Sequence, residues 1–115
     1  MNLIKVSAAS RTSAVAGAIA GVVREHHRAE VQAIGAAAVN QAIKAIILAT
    51  GYLHQDGIQV HCVPEFTDVT IEDNVKTAIK LVVEPQHSSV VATESTRLLS
   101  QSAHTQVPPD SSLVD

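Results

Sequence analysis

Aromatic side chains are almost missing from this sequence: it has one Phe (Phe66), one Tyr (Tyr52) and no Trp. A core without them must be assembled from Ala, Val, Ile and Leu, each of which buries less surface than an aromatic ring. Such a core is thin, and a single domain in a chain of 115 residues is expected to gain from pairing with a second copy. Cysteine is as scarce. The lone Cys62 excludes an intramolecular disulfide and gives no sign of an oxidising compartment. No apolar run approaches the roughly 18 residues of a membrane span. The N-terminal MNLIKVS also lacks the charged-then-apolar layout of a signal peptide, so a cytoplasmic protein without membrane contact is expected. Strong charge of one sign is missing too. A formal net charge of −3 excludes coating of nucleic acid by bulk positive charge, so any contact with DNA or RNA has to be local.

What the chain has in abundance is alanine. The stretch AIGAAAVNQAIKAIILATGYL, residues 33–53, reads as a helix. Alanine orders a helix at little side-chain entropy cost but buries little, so such a helix must lie close to its support. Val39, Ile43, Ile46 and Ile47 are expected to face the core, with Asn40, Gln41 and Lys44 on another side and Gly51 as the stop after Thr50. Upstream, Leu3 to Ser7 reads as a strand whose Ile4 and Val6 share a face. Ser13 has the chemistry of an N-cap for a helix from Ala14 to about His26. In that helix Val15, Ile19, Val22 and Val23 make an apolar stripe, while Ala14, Gly17, Ala18 and Gly21 make a small-residue face. An interior glycine costs about 1 kcal/mol relative to alanine, so a close backbone approach is expected along that face.

Glu30 to Ile34, Ile58 to Val63 and Lys76 to Glu84 read as the remaining strands, with PEFTDVTIEDN connecting the last two. The order β-α-β-α-β-β implies an α/β two-layer sandwich, a four-stranded mixed sheet with both helices on one face. Composition changes near Pro85. Residues 1–85 form the domain, and residues 86–115, with ten Ser or Thr and the pair Pro108 and Pro109, read as a flexible tail. Within the tail, SSVVATESTRLLSQ has the alternative of a short docking helix.

Candidate chemistry is sparse. His26 and His27 are adjacent at a helix end and lack the i, i+3 or i, i+4 spacing of a shared metal site. His61 and Cys62 alternate along a strand and face opposite ways, which makes Cys62 a small core residue rather than a nucleophile. Glu65, Asp68, Glu72 and Asp73 lack calcium-loop spacing and fit a solvated hairpin. Neither phosphate-binding glycine motif is present, and no nucleophile, base and orienting group come together. No enzyme activity, metal or cofactor is expected. What remains is Arg11, in the loop before the first helix, with Asn40, Gln41 and Lys44 on the second. Both strand-to-helix turns of such a sheet open on one edge, so these groups can gather there and contact phosphate, sugar or base. The plainer alternative is that Arg11 and Lys44 only keep the surface soluble.

The segments KVSAASRTSAVAGAIAGVVRE, EVQAIGAAAVNQAIKAI, VPEFTDVTI and TAIKLVVEP resemble the stage V sporulation protein S family of bacteria over residues 2–85. The resemblance implies an Alba-like fold with sheet order 1-2-4-3. It also implies a homodimer able to bind DNA or RNA, a regulatory role in spore development and septation, and no catalysis. Alba-type proteins place basic groups before the first helix and at the turn into the second, which map onto Arg11 and onto the segment from Ala36 to Lys44. Alanines stand here where Alba has arginines, leaving Lys44 with Asn40 and Gln41. Alba's last hairpin is a basic arm, whereas residues 64–76 here carry four acids and one lysine. Phosphate would repel that arm, so an Alba-like wrap around DNA is not expected. The runner-up reading is a protein-interaction module that uses the acidic hairpin, the small-residue face and the tail, without nucleic acid.

Overall fold

Leu3–Val6 (β1), Thr12–His26 (α1), Ala29–Ala33 (β2), Ala36–Gln55 (α2), Val60–Ile71 (β3) and Asn74–Pro85 (β4) follow one another in a computed structural model that describes residues 3–86. The expected tail and its SSVVATESTRLLSQ segment lie outside the described residues. The strands form one sheet in the order β1-β2-β4-β3, the first pair parallel and the others antiparallel. Element order, mixed sheet and strand order all agree with expectation.

Alternation sorts the sheet into two faces. Ile4 and Val6 of β1, Ala29, Val31 and Ala33 of β2, and Ile79, Leu81 and Val83 of β4 meet the helices. Lys5, Gln32, Lys80 and Glu65 form one row across the four strands on the reverse face. The helices run side by side in the same direction. Gln41 of α2 reaches the start of α1, and Arg24 near the end of α1 donates to Asp56 just past α2 at 2.6 Å.

The alanines are the core-facing side of α2. Ala38, Ala42, Ala45 and Ala49 are buried together with Ile46 and Leu53, while Ile43 is 40% and Ile47 64% exposed. The expected face of Val39, Ile43, Ile46 and Ile47 is therefore corrected: Ile46 alone of these is buried, and Val39 packs at the margin. Small side chains bring the helix axis close enough for the core to close without aromatics. By length and composition α2 is also apolar enough to cross a membrane, with mean hydropathy 1.3. Here its alanine face is sealed against the rest of the domain.

Helix boundaries differ from expectation in instructive ways. α1 starts at Thr12 with Arg11 as N-cap and no side-chain cap, so Ser13 is already inside the helix. α2 runs through Gly51 to Gln55, because fully buried Leu53 extends its packed face by a further turn. The stop is Gly57, whose φ of 77° a side chain would resist, and Ile58 N–H donates to the Leu53 carbonyl at 2.9 Å. Among the described residues a methyl group added at Gly17 or Gly21 would meet nothing within 4 Å, so the expected close approach along α1 does not occur there.

The segment from Pro64 to Asn74 is mostly strand rather than a connection. β3 and β4 pair without interruption from Val60 with Pro85 to Ile71 with Asn74, and Glu72 and Asp73 make the turn. Only Ile79–Val83 of β4 pairs with β2, so five residues of each hairpin strand project about 17 Å beyond the four-stranded part. Val75 (68% exposed) stands on this arm, and Phe66 (77%) sits just before it, opposite Ile79. Cys62 is likewise at the surface, because β3 is an edge strand outside the helices' cover; the expectation of a core cysteine is corrected. Partial burial pushes its thiol above the usual range.

Candidate nucleic-acid interface

Both helices begin at the sheet edge where parallel β1 and β2 end, and the arm projects past that same edge. The turn into α1 is braced internally. Ser7 N–H donates to Ser10 Oγ at 2.9 Å, and Ser10 N–H donates back to the Ser7 carbonyl at 3.1 Å. Neither helix has a side-chain cap or an acidic residue in its first turn. Their leading N–H groups and the positive ends of their dipoles thus lie on one rim.

Arg11 is exposed at the N-cap of α1. Gln41 Nε2 donates to the carbonyl of Ser10 at 2.9 Å and approaches Thr12 Oγ1 at 3.4 Å. That amide ties the Arg11 turn to α2, so the structure gives Gln41 a positioning job with its NH2 group already engaged. Asn40 and Lys44 are exposed on α2 on either side of Gln41 in sequence. Lys44 is the ninth residue of α2, about 12 Å along the axis from the rim. The predicted set is thus connected through Gln41, with Lys44 set back along the outer face.

Seven cations belong to the described residues, and ion pairing divides them. Arg24 pairs with Asp56, Arg28 with Glu30 and Glu84 at 2.9 Å each, and Lys80 with Glu65 at 3.1 Å. Hydrogen bonds that it donates to Glu30 and then to Glu84 hold the Arg28 guanidinium still more firmly in its charged form. Lys5, Arg11, Lys44 and Lys76 have no carboxylate within 4.0 Å among the described residues. Lys5 ends the reverse-face row of β1 at the rim, and Lys76 lies on the reverse face of the arm. Sequence reasoning missed both. Lys5 was open to detection, since it alternates with Ile4 and Val6, but Lys76 needed the hairpin register. Three acids, Asp68, Glu72 and Asp73, oppose this field from the arm itself.

No group of three or more His, Cys, Asp or Glu able to hold a metal occurs among the described residues. His27, His61 and Glu84 line a hollow of about 190 Å3 at the end opposite the rim, where Arg28 already engages Glu84.

Among solved structures, ALBA1 from Trypanosoma brucei is similar, with 14% identity, 96% of this chain and 94% of that chain covered, and a TM-score of 0.49. The fold itself rests on the element and strand order described above. A family model described as Stage V sporulation protein S (SpoVS) matches residues 2–86. With its whole folded domain inside that match, the chain belongs to the stage V sporulation protein S family.

Proposed function

We propose that this protein is a non-enzymatic, nucleic-acid-binding regulator that works as a pair of copies, in keeping with its family's association with sporulation. The observation that carries the reading is the sorting of charge: among the described residues, the cations left without carboxylates are Lys5, Arg11, Lys44 and Lys76, around or just behind the rim where two uncapped helices begin. Phosphate oxygens are the ligand such a rim suits, because free N–H groups, helix dipoles and unpaired cations all favour an anion there. Arg11 and Lys44 supply charge, Asn40 supplies a hydrogen-bonding amide, and Gln41 holds the Arg11 turn in place. Pairing of copies is supported by exposed Ile47, Phe66 and Val75, which a thin alanine core leaves uncovered.

If Arg11 and Lys44 of two copies contact phosphate, about four counterions are released, and log K falls with log salt at a slope of about −3.6 on duplex DNA. A gel-shift series across salt tests this. Arg11→Ala and Lys44→Ala should each weaken binding and flatten the slope, and unchanged affinity in both variants rejects the surface. The exposed apolar residues of the arm, set among acids, favour a second reading as a protein-interaction module. A defined partner recovered from lysate after nuclease treatment would support that reading.

A further inference from the structure

A hollow lies behind the rim, where the arm passes the ends of β1 and β2. It encloses about 340 Å3, and its lining includes Lys5, Gln32, Ile34, Val69, Thr70 and Ile71. That volume is within the range of clefts that take small ligands, about 300–1,000 Å3. Among the described residues no carboxylate lines it. Lys5 offers a cation without an acidic partner among the described residues, and Lys76, paired with Val69 across the hairpin, extends positive charge along the reverse face of the arm. Gln32 brings an amide with both donor and acceptor atoms, and Ile34, Val69 and Ile71 bring aliphatic walls.

We infer that this groove receives one unstacked nucleotide of a single-stranded nucleic acid, an inference that rests on the nucleic-acid reading above and gives it a strand preference. Each part of a nucleotide has a counterpart. Aliphatic walls accept the flat face of a base, the Gln32 amide can bond its edge, and Lys5 meets the phosphate. A duplex keeps its bases stacked and paired, so it cannot place one in the groove without opening. A duplex is also the more densely charged polymer, and the acids of the arm repel it more strongly than they repel a single strand.

The test compares a short labelled single strand, as RNA and as DNA, with the matched duplex by fluorescence anisotropy at one salt concentration. Wild-type protein should bind the single strand roughly fivefold more tightly than the duplex. Gln32→Leu removes the amide and should weaken single-strand binding about tenfold while leaving the duplex within about twofold. Val69→Ser, on the arm and outside the sheet's helix-covered core, should act in the same direction if the Gln32 variant fails to fold. Arg11→Ala should weaken both forms. Equal affinity for single strand and duplex, or groove variants that change neither, overturns the groove while leaving the rim reading intact. A separate titration of isotope-labelled protein with adenosine and uridine monophosphates should move the resonances of Lys5, Gln32 and Thr70. Movement there without any oligonucleotide binding upholds the groove and overturns the rim; no movement and no binding overturns both.

Discussion

The two ends of the sheet use the same residue types for different purposes. At the end where the helices finish, Arg24 and Arg28 are tied to Asp56, Glu30 and Glu84, and His26, His27, His54 and His61 gather nearby. At the end where the helices begin, Arg11 and Lys5 have no acidic partner and neither helix a side-chain cap among the described residues. Charge at the first end is consumed by the fold. At the second it is left available, and a net charge of −3 over the whole chain conceals that difference. Where cations lack partners says more about binding than how many there are.

The sharpest way to test the contrast is to damage the consumed end. Leu53 is fully buried there, and Leu53→Ala should cost about 2–5 kcal/mol by denaturant unfolding. The fraction that remains folded should bind nucleic acid as before. Removing the available charge should do the reverse. Arg11→Ala combined with Lys44→Ala should abolish most of the salt dependence of binding yet change stability by no more than about 0.5 kcal/mol, since both side chains are exposed. Reversing the arm's tip, with Glu72→Lys and Asp73→Lys, should raise duplex affinity severalfold and steepen its salt slope.

Smaller effects fall between and across the two ends. The raised Cys62 thiol should react with a disulfide probe more slowly at neutral pH than a free thiol of pKa about 8.5. Because the folded thiol keeps its proton to higher pH than the unfolded one, any stability it confers is complete below the ordinary thiol range. That stability is lost as pH rises through the folded value. Smallest of all is Arg24→Ala. Its pair with Asp56 is about half exposed, with side-chain exposures of 47% and 45%, and should be worth under about 1 kcal/mol in a thermal melt.

The element order was legible because strand alternation and helical periodicity each hold over enough residues to be counted. The face of α2 was not. Periodicity weights Ile above Ala, and so turned Ile43 and Ile47 inward, whereas the packing distance is set by the small residues at Ala38, Ala42, Ala45 and Ala49. The hairpin was read as two short strands because Pro64 and the acids interrupt its apolar alternation. An edge strand tolerates both, since Pro needs no partner for its missing N–H on the open side. Of the candidate site, Arg11 and Lys44 followed from their positions near the strand-to-helix turns. The role of Gln41 depended on a contact with Ser10, thirty-one residues away, that no local pattern encodes.

The tip of the arm has a consequence for handling the protein. Glu72 and Asp73 both sit at positive φ, 49° and 65°, in a two-residue turn where asparagine and glycine are the comfortable occupants. Among the described residues neither side chain makes a hydrogen bond or an ion pair that would hold the bend. A protease offered the native molecule should therefore make its first internal cut within the described domain at this bend, leaving the remainder of the sandwich whole, and an Asn-Gly replacement should delay that nick.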